Sequence, residues 1–164
     1  MVLSKANKLN CKNSSYPFKY SNYGYAVLGL VLESVYNTDF RKLMNDFIHD
    51  ELGLKDTYIF DKNKDLQKSW DWQENDAYLS AGAITSNITD MLKYAQIMLK
   101  GNECAKHIKK INASSKSHKM MDINMDEIGM AWLIDKKNSV VWHNGGTGNY
   151  NSYLGFNPEQ KTAV

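Results

Sequence analysis

Apolar residues along this chain follow a helical period as far as Leu99 and an alternating one from Gly129 onward. Residues 1 to 19, rich in Lys, Asn and Ser, show neither period and read as a lead-in loop. From Tyr23 to Tyr36, Ala26, Val27, Leu30, Val31 and Val35 recur at helical spacing with apolar neighbours on most sides, which predicts a buried helix. Gly24 and Gly29 weaken it by about 1 kcal/mol each relative to Ala, so its backbone is expected to pack closely on another element. A second helix is predicted with Thr38 as N-cap, Asp39 in the first turn, Phe40, Leu43, Phe47 and Ile48 on one face, and Gly53 as its stop. Tyr58-Ile59-Phe60 is a short extended piece. Residues 61 to 76 form a polar surface loop, in which Trp70 and Trp72 read as anchors or, less commonly, as a ligand-stacking wall.

Ser80 to Ser86 is a small-residue loop ending in a capping serine. In the helix after it, Ile88, Met91, Leu92, Ala95, Met98 and Leu99 share a face and Gly101 ends the run. Residues 102 to 127 are polar again. Then the period changes: Gly129 to Ile134 predicts a strand, Asp135 to Asn138 a hairpin turn and Val140 to His143 the next strand. A Gly-rich turn follows, then a strand from Tyr150 to Phe156, a turn at Asn157 to Gln160, and a fourth strand opening at Thr162. Helices first and an antiparallel meander last make the fold class α+β.

The length, 164 residues, suits one domain, and 43% hydrophobic with 23% charged residues is ordinary globular composition. A net charge of +2 with interspersed signs gives no basic face for nucleic acid. Cys11 and Cys104 form no CxxC pair; sparse cysteine usage favours two reduced thiols, with one disulfide as the alternative. His107 and His118 sit among lysines and read as solvated residues, so neither a metal nor a cofactor is expected. The N-terminus has no signal-peptide core, and the longest apolar run, Ala26 to Leu32, is too short to span a bilayer.

Two spots suggest chemistry. Tyr20-Ser21-Asn22 opens the first long helix, and His143-Asn144-Gly145-Gly146-Thr147 ends a strand, where glycine leaves backbone N–H groups open to a ligand. Each is weak alone. In this order, with Leu52-Gly53-Leu54-Lys55-Asp56-Thr57, Ser80-Ala81-Gly82 and Asn157-Pro158 between and after them, the chain resembles the serine β-lactamase-like family of class C β-lactamases, D-alanyl-D-alanine carboxypeptidases and related esterases. His143-Asn144-Gly145 stands where most members carry Lys-Thr-Gly and others His-x-Gly.

The resemblance implies an acyl-enzyme mechanism in which a serine attacks a carbonyl. It gives Tyr20 the role of proton shuttle, since a phenol acts as base only where nearby cations favour its anion. Asn22 would hold the substrate amide and a lysine. His143 would supply positive or hydrogen-bonding character near the substrate carboxylate. The Gly146 N–H would be an oxyanion-hole donor, a contribution of roughly 3 to 4 kcal/mol. Asn144, Gly145 and Thr147 would line the substrate, a small molecule or peptide bearing a carbonyl and a carboxylate.

One part of the family pattern is absent. No serine here is followed by lysine at the third position: Ser4 meets Asn7, Ser14 meets Pro17 and Ser115 meets His118. The expectation is therefore a single partial domain over 1–164, central to C-terminal in the family fold, with a lead-in at 1–19, a mostly helical part at 20–127 and antiparallel strands at 128–164. It would be inactive as an isolated chain and would self-associate through open sheet edges. The alternative is a non-catalytic module that binds peptidoglycan-like ligands or another protein. The family usually works outside the cytoplasmic membrane, while the chain itself leaves its compartment undetermined.

Overall fold

The computed structural model describes residues 2–10, 19–60, 70–101 and 127–164, with the backbone of two further strands at 118–120 and 123–125. Cys11, Cys104, His107 and residues 61–69 lie outside the described residues. Helices precede an antiparallel sheet, as the change of period predicts. Contacts divide the chain into two units, Met1–Asp90 with Gly146–Tyr150, and Met91–Gly145 with Asn151–Val164.

The first unit holds α1 (Val2–Ala6), α2 (Asn22–Tyr36), α3 (Phe40–Asp46) with a π turn at Phe47–Glu51, β1 (Tyr58–Ile59), α4 (Leu79–Gly82) and β2 (Ile84–Thr85), and the first turn of α5 (Ile88–Leu99). The lead-in is thus not all loop: α1 forms within it, and the Tyr23 hydroxyl of α2 donates to the Val2 carbonyl at 3.0 Å. Nor is α2 buried on all sides. Ala26 and Gly29 are covered, whereas Leu28, Val31 and Val35 are 49%, 47% and 71% exposed. Periodicity identified the helix but not how many of its faces would meet a neighbour.

Both expected caps move by one residue. Asp39, not Thr38, caps α3, its carboxylate accepting from the Lys42 N–H at 3.1 Å, while the Thr38 hydroxyl turns back to the Tyr36 carbonyl. Asn87, not Ser86, caps α5 by accepting from the Asp90 N–H at 2.9 Å. The expected loop at 80–86 contains the end of α4 and all of β2, which pairs with β1 in the register Tyr58↔Thr85 and Ile59↔Ile84. Along the other side of β1, the Asn45 side chain accepts from the Ile59 N–H at 2.7 Å, doing the work of a strand partner.

A buried carboxylate ties these pieces together. Asp90, 5% exposed, accepts from the Asp56 N–H at 2.7 Å and from the Thr57 hydroxyl at 2.8 Å. Because Thr57 gives its one proton to Asp90, the Ser86 hydroxyl 2.7 Å away donates to Thr57. The negative charge also sits in the first turn of α5, where the helix dipole favours it.

In the second unit, apart from Gly146–Tyr150, which belong to the first, the strand order is β5 (Glu127–Gly129), β6 (Trp132–Asp135), β7 (Val140–Thr147), β8 (Tyr150–Asn157) and β9 (Thr162–Ala163), with a separate hairpin of β3 (His118–Met120) and β4 (Ile123–Met125) where a polar loop was expected. The strand predicted from Gly129 to Ile134 is in fact two, joined by a turn at Met130 and Ala131 with φ of 48° and 77°. Two-residue hairpins are normally announced by Asn-Gly or Asp-Gly, and Met-Ala carries no such signal. The next turn was legible: the Asp135 carboxylate accepts from the backbone and side-chain N–H groups of Asn138.

Met98 of α5 packs with Ile134, Val141 and Phe156 on one face of the sheet, flanked by Tyr94, Leu99, Trp132 and Ala163. Burial of side chains of this size stabilises by about 1.5–3 kcal/mol each. The predicted apolar face of α5 is therefore real at its C-terminal end, while Ile88 and Leu92 are exposed. On the opposite sheet face Leu133 and Trp142 are each 1% exposed, and Tyr153 stacks on Trp142 with centroids 5.8 Å apart.

Candidate active site

Tyr20 and Asn22 stand at the entrance to α2. Ser21 between them is extended, with φ −154° and ψ 103°, and its Oγ accepts from the Gly24 N–H at 3.0 Å. This cap explains the serine of the triplet: it ends the extended lead-in and starts the helix, leaving the side chains on either side exposed. Tyr20 is 46% exposed. The neighbouring Tyr25 phenol is held above its ordinary pKa, first by burial and then by the proximity of Tyr20.

The first turn of α2 is fixed from outside. The Ser80 hydroxyl, on α4, donates to the Tyr25 carbonyl at 2.8 Å. It seats in the notch left by Gly29, where an added Cβ would lie 2.6 Å from Ser80 Oγ. Close packing expected from the helix glycines is thus found at Gly29, while Gly24 meets only its own cap. Ser80 was missed as a positioning residue, although Gly29 was the signal for it. The Asp56-Thr57 pair has the structural role described above, gripping Asp90.

On β7 the geometry departs from the expected strand and Gly-rich turn. The strand runs on through Gly145 and Gly146 to Thr147, and the chain reverses only at Gly148-Asn149, with Gly148 at φ 55°. His143, Asn144, Gly145 and Thr147 are half-buried and Gly146 is exposed. The paired register with β6 covers Val140 to Trp142, so the segment from His143 to Thr147 extends beyond it. Gly145 faces its neighbour on β8 closely, since an added Cβ would come within 2.9 Å of Ser152 Oγ and turn that hydroxyl aside.

Tyr20, Asn22, Gly146 and Thr147 fall in the first unit, and His143, Asn144 and Gly145 in the second. Within the first unit Thr147 reaches α4: a Cβ at Gly82 would have Thr147 Cγ2 at 3.9 Å and Trp72 Cζ2 at 3.8 Å. Trp72 in turn meets Trp70 edge to face at 5.5 Å. Among the described serines, Ser21, Ser80 and Ser86 are all engaged in structural hydrogen bonds. Among the described residues no group of three His, Cys, Asp or Glu side chains is placed to hold a metal, and no helix is long and apolar enough to cross a membrane.

Several solved structures share this fold. The octameric penicillin-binding protein homologue from Pyrococcus abyssi superposes with a TM-score of 0.70 at 21% identity, covering 93% of this chain and 39% of its own. The β-lactamase/D-alanine carboxypeptidase from Yersinia pestis, complexed with citrate, gives 0.70 at 21% identity, covering 88% and 47%. A class C β-lactamase from Rhodobacter sphaeroides gives 0.69 at 13% identity, covering 99% and 57%. The chain thus spans about two-fifths to three-fifths of the length of these structures. No curated protein matches the sequence. Residues 15–164, which include Tyr20-Ser21-Asn22, the α4 bend and the whole β7–β8 hairpin, match the family described as Beta-lactamase. This chain belongs to the beta-lactamase family.

Proposed function

We propose that this chain contributes one part of a serine acyl-transfer site of the class C β-lactamase or D-Ala-D-Ala carboxypeptidase type, acting on a β-lactam, peptide or ester carbonyl, and that its two units are parts of one β-lactamase-like domain. Tyr20 is the proton shuttle, Asn22 the amide that holds the substrate's acyl amide, His143 the group beside its carboxylate and Gly146 N–H an oxyanion donor. Asn144, Gly145 and Thr147 line the substrate. The observation that carries this reading is the family match over residues 15–164, a span that contains both Tyr20-Ser21-Asn22 and His143-Asn144-Gly145. The named activities of the Yersinia and Rhodobacter proteins support it.

The chain contains no Ser-x-x-Lys, so covalent catalysis by these 164 residues alone lacks its nucleophile. The expected result is no burst of nitrocefin or p-nitrophenyl acetate hydrolysis by the isolated chain. A burst that Tyr20→Phe abolishes would overturn it. The same absence supports the second reading, a ligand- or protein-binding module derived from the family.

The Pyrococcus homologue is described as octameric. For this chain we infer self-association through the edges of the five-stranded sheet, formed by β5 and β9. Sedimentation velocity should show a mass that rises with concentration; a single monomeric species at high concentration contradicts it.

A further inference from the structure

We propose that α4, through Ser80 and Gly82, is a bracket that sets the start of α2 and the tip of the β7–β8 hairpin relative to each other. Both ends lie within the first unit. At one end the Ser80 hydroxyl donates to the Tyr25 carbonyl at 2.8 Å and fills the notch at Gly29. Tyr25 is in the first turn of α2, three residues after Asn22. At the other end, two residues along the same short helix, Gly82 offers a bare backbone to the methyl group of Thr147 and the ring edge of Trp72.

The two grips differ in kind. A backbone carbonyl accepting a hydroxyl proton in a filled notch leaves little play, because any shift breaks the bond or forces Ser80 into Gly29. At Gly82 the contact is van der Waals, with 3.8 to 4.0 Å to a hypothetical Cβ, so a methyl group is accommodated there while a larger side chain displaces Thr147 or Trp72. The lever between them is rigid: the Ala83 N–H closes the helix on the Leu79 carbonyl at 3.1 Å, and Leu79 is buried. The contacts of Ser80 and Gly82 are to the Tyr25 carbonyl, Gly29, Thr147 and Trp72 rather than to the proposed reacting atoms, so they are positioning residues. Their relevance to catalysis rests on the acyl-site reading above; the mechanical coupling does not.

The test is NMR on the full chain without ligand, with the Thr147 methyl, the Asn22 amide and the Tyr20 ring assigned. Ser80→Ala should move the Thr147 methyl by more than a linewidth. Gly82→Val should move Asn22 and Tyr20, and Gly82→Ala should do so less. Asn45→Ala, which loosens β1 in the same unit, should leave all three in place. The bracket is overturned if each α4 variant disturbs only its own end, or if Asn45→Ala moves both ends as strongly. Benzylpenicillin titration of the wild type then separates the readings. Coupling without binding keeps the bracket and removes the acyl site, and binding without coupling does the reverse.

Discussion

Ser80 Oγ lies 2.8 Å from the carbonyl oxygen of Tyr25, fifty-five residues earlier in the chain, and occupies the space a side chain at position 29 would need. One hydroxyl therefore joins two motifs that are separate in the sequence. Gly29→Ala must push Ser80 or the helix aside and should destabilise by about 1–3 kcal/mol, as overpacking does. Ser80→Ala loses the hydrogen bond, about 1 kcal/mol. Because Ser80→Ala keeps a Cβ that would still lie 2.7 Å from the one added at position 29, the overpacking persists and the double variant should be destabilised by about the sum of the two. Urea denaturation at constant m-value measures all three.

Asp90 organises the loop before β1 and the start of α5. Asp90→Ala leaves the Asp56 N–H and the Thr57 hydroxyl without their acceptor, and removes a charge from the first turn of a helix. The expected loss is about 3 kcal/mol, with Thr57→Val nearer 1–2 kcal/mol. Equal values for the two, read from thermal or chemical unfolding, would show that the carboxylate is not the hub.

These two networks show where the sequence was legible. The helices at α2 and α5 and the meander from β6 to β9 follow from period and turn chemistry, and the stops at Gly53 and Gly101 fall where glycine takes φ of 63° and 69°. The Met130-Ala131 turn was hidden because neither residue prefers positive φ, and its conformation is imposed by the pairing of β5 with β6. The caps at Asp39 and Asn87 were displaced by one because adjacent polar residues compete: the Thr38 hydroxyl turns back to the Tyr36 carbonyl two residues earlier, and the Ser86 hydroxyl is taken by Thr57, a tertiary partner. Of the site, the motif residues were visible as a resemblance. Ser80 was visible within Ser80-Ala81-Gly82 and Gly29 as a point of close packing, but that the two meet was not, since a contact between residues so far apart in the chain leaves no mark on local pattern.

Tyr153 gives a pH dependence. Burial first, and the carboxylate of Asp135 second, hold its phenol above the ordinary value. A raised folded pKa means the native state keeps a proton that the unfolded chain releases above about pH 10. The stabilisation is therefore complete below that pH and lost as pH rises through the folded value. Tyr153→Phe should flatten this part of the alkaline unfolding curve while leaving the curve below pH 9, roughly one unit under the unperturbed phenol, parallel to wild type. A wild-type curve no steeper than that of Tyr153→Phe contradicts the assignment.

The most direct test of the acyl-site reading is benzylpenicillin titration of the isolated chain, followed by two-dimensional NMR and by intact mass. Saturable shifts are expected at Tyr20, Asn22 and His143 to Thr147, diminished by Asn22→Ala, with no covalent adduct because the chain carries no Ser-x-x-Lys. Shifts confined to other residues, or a stoichiometric acyl adduct on a serine of this chain, would contradict it.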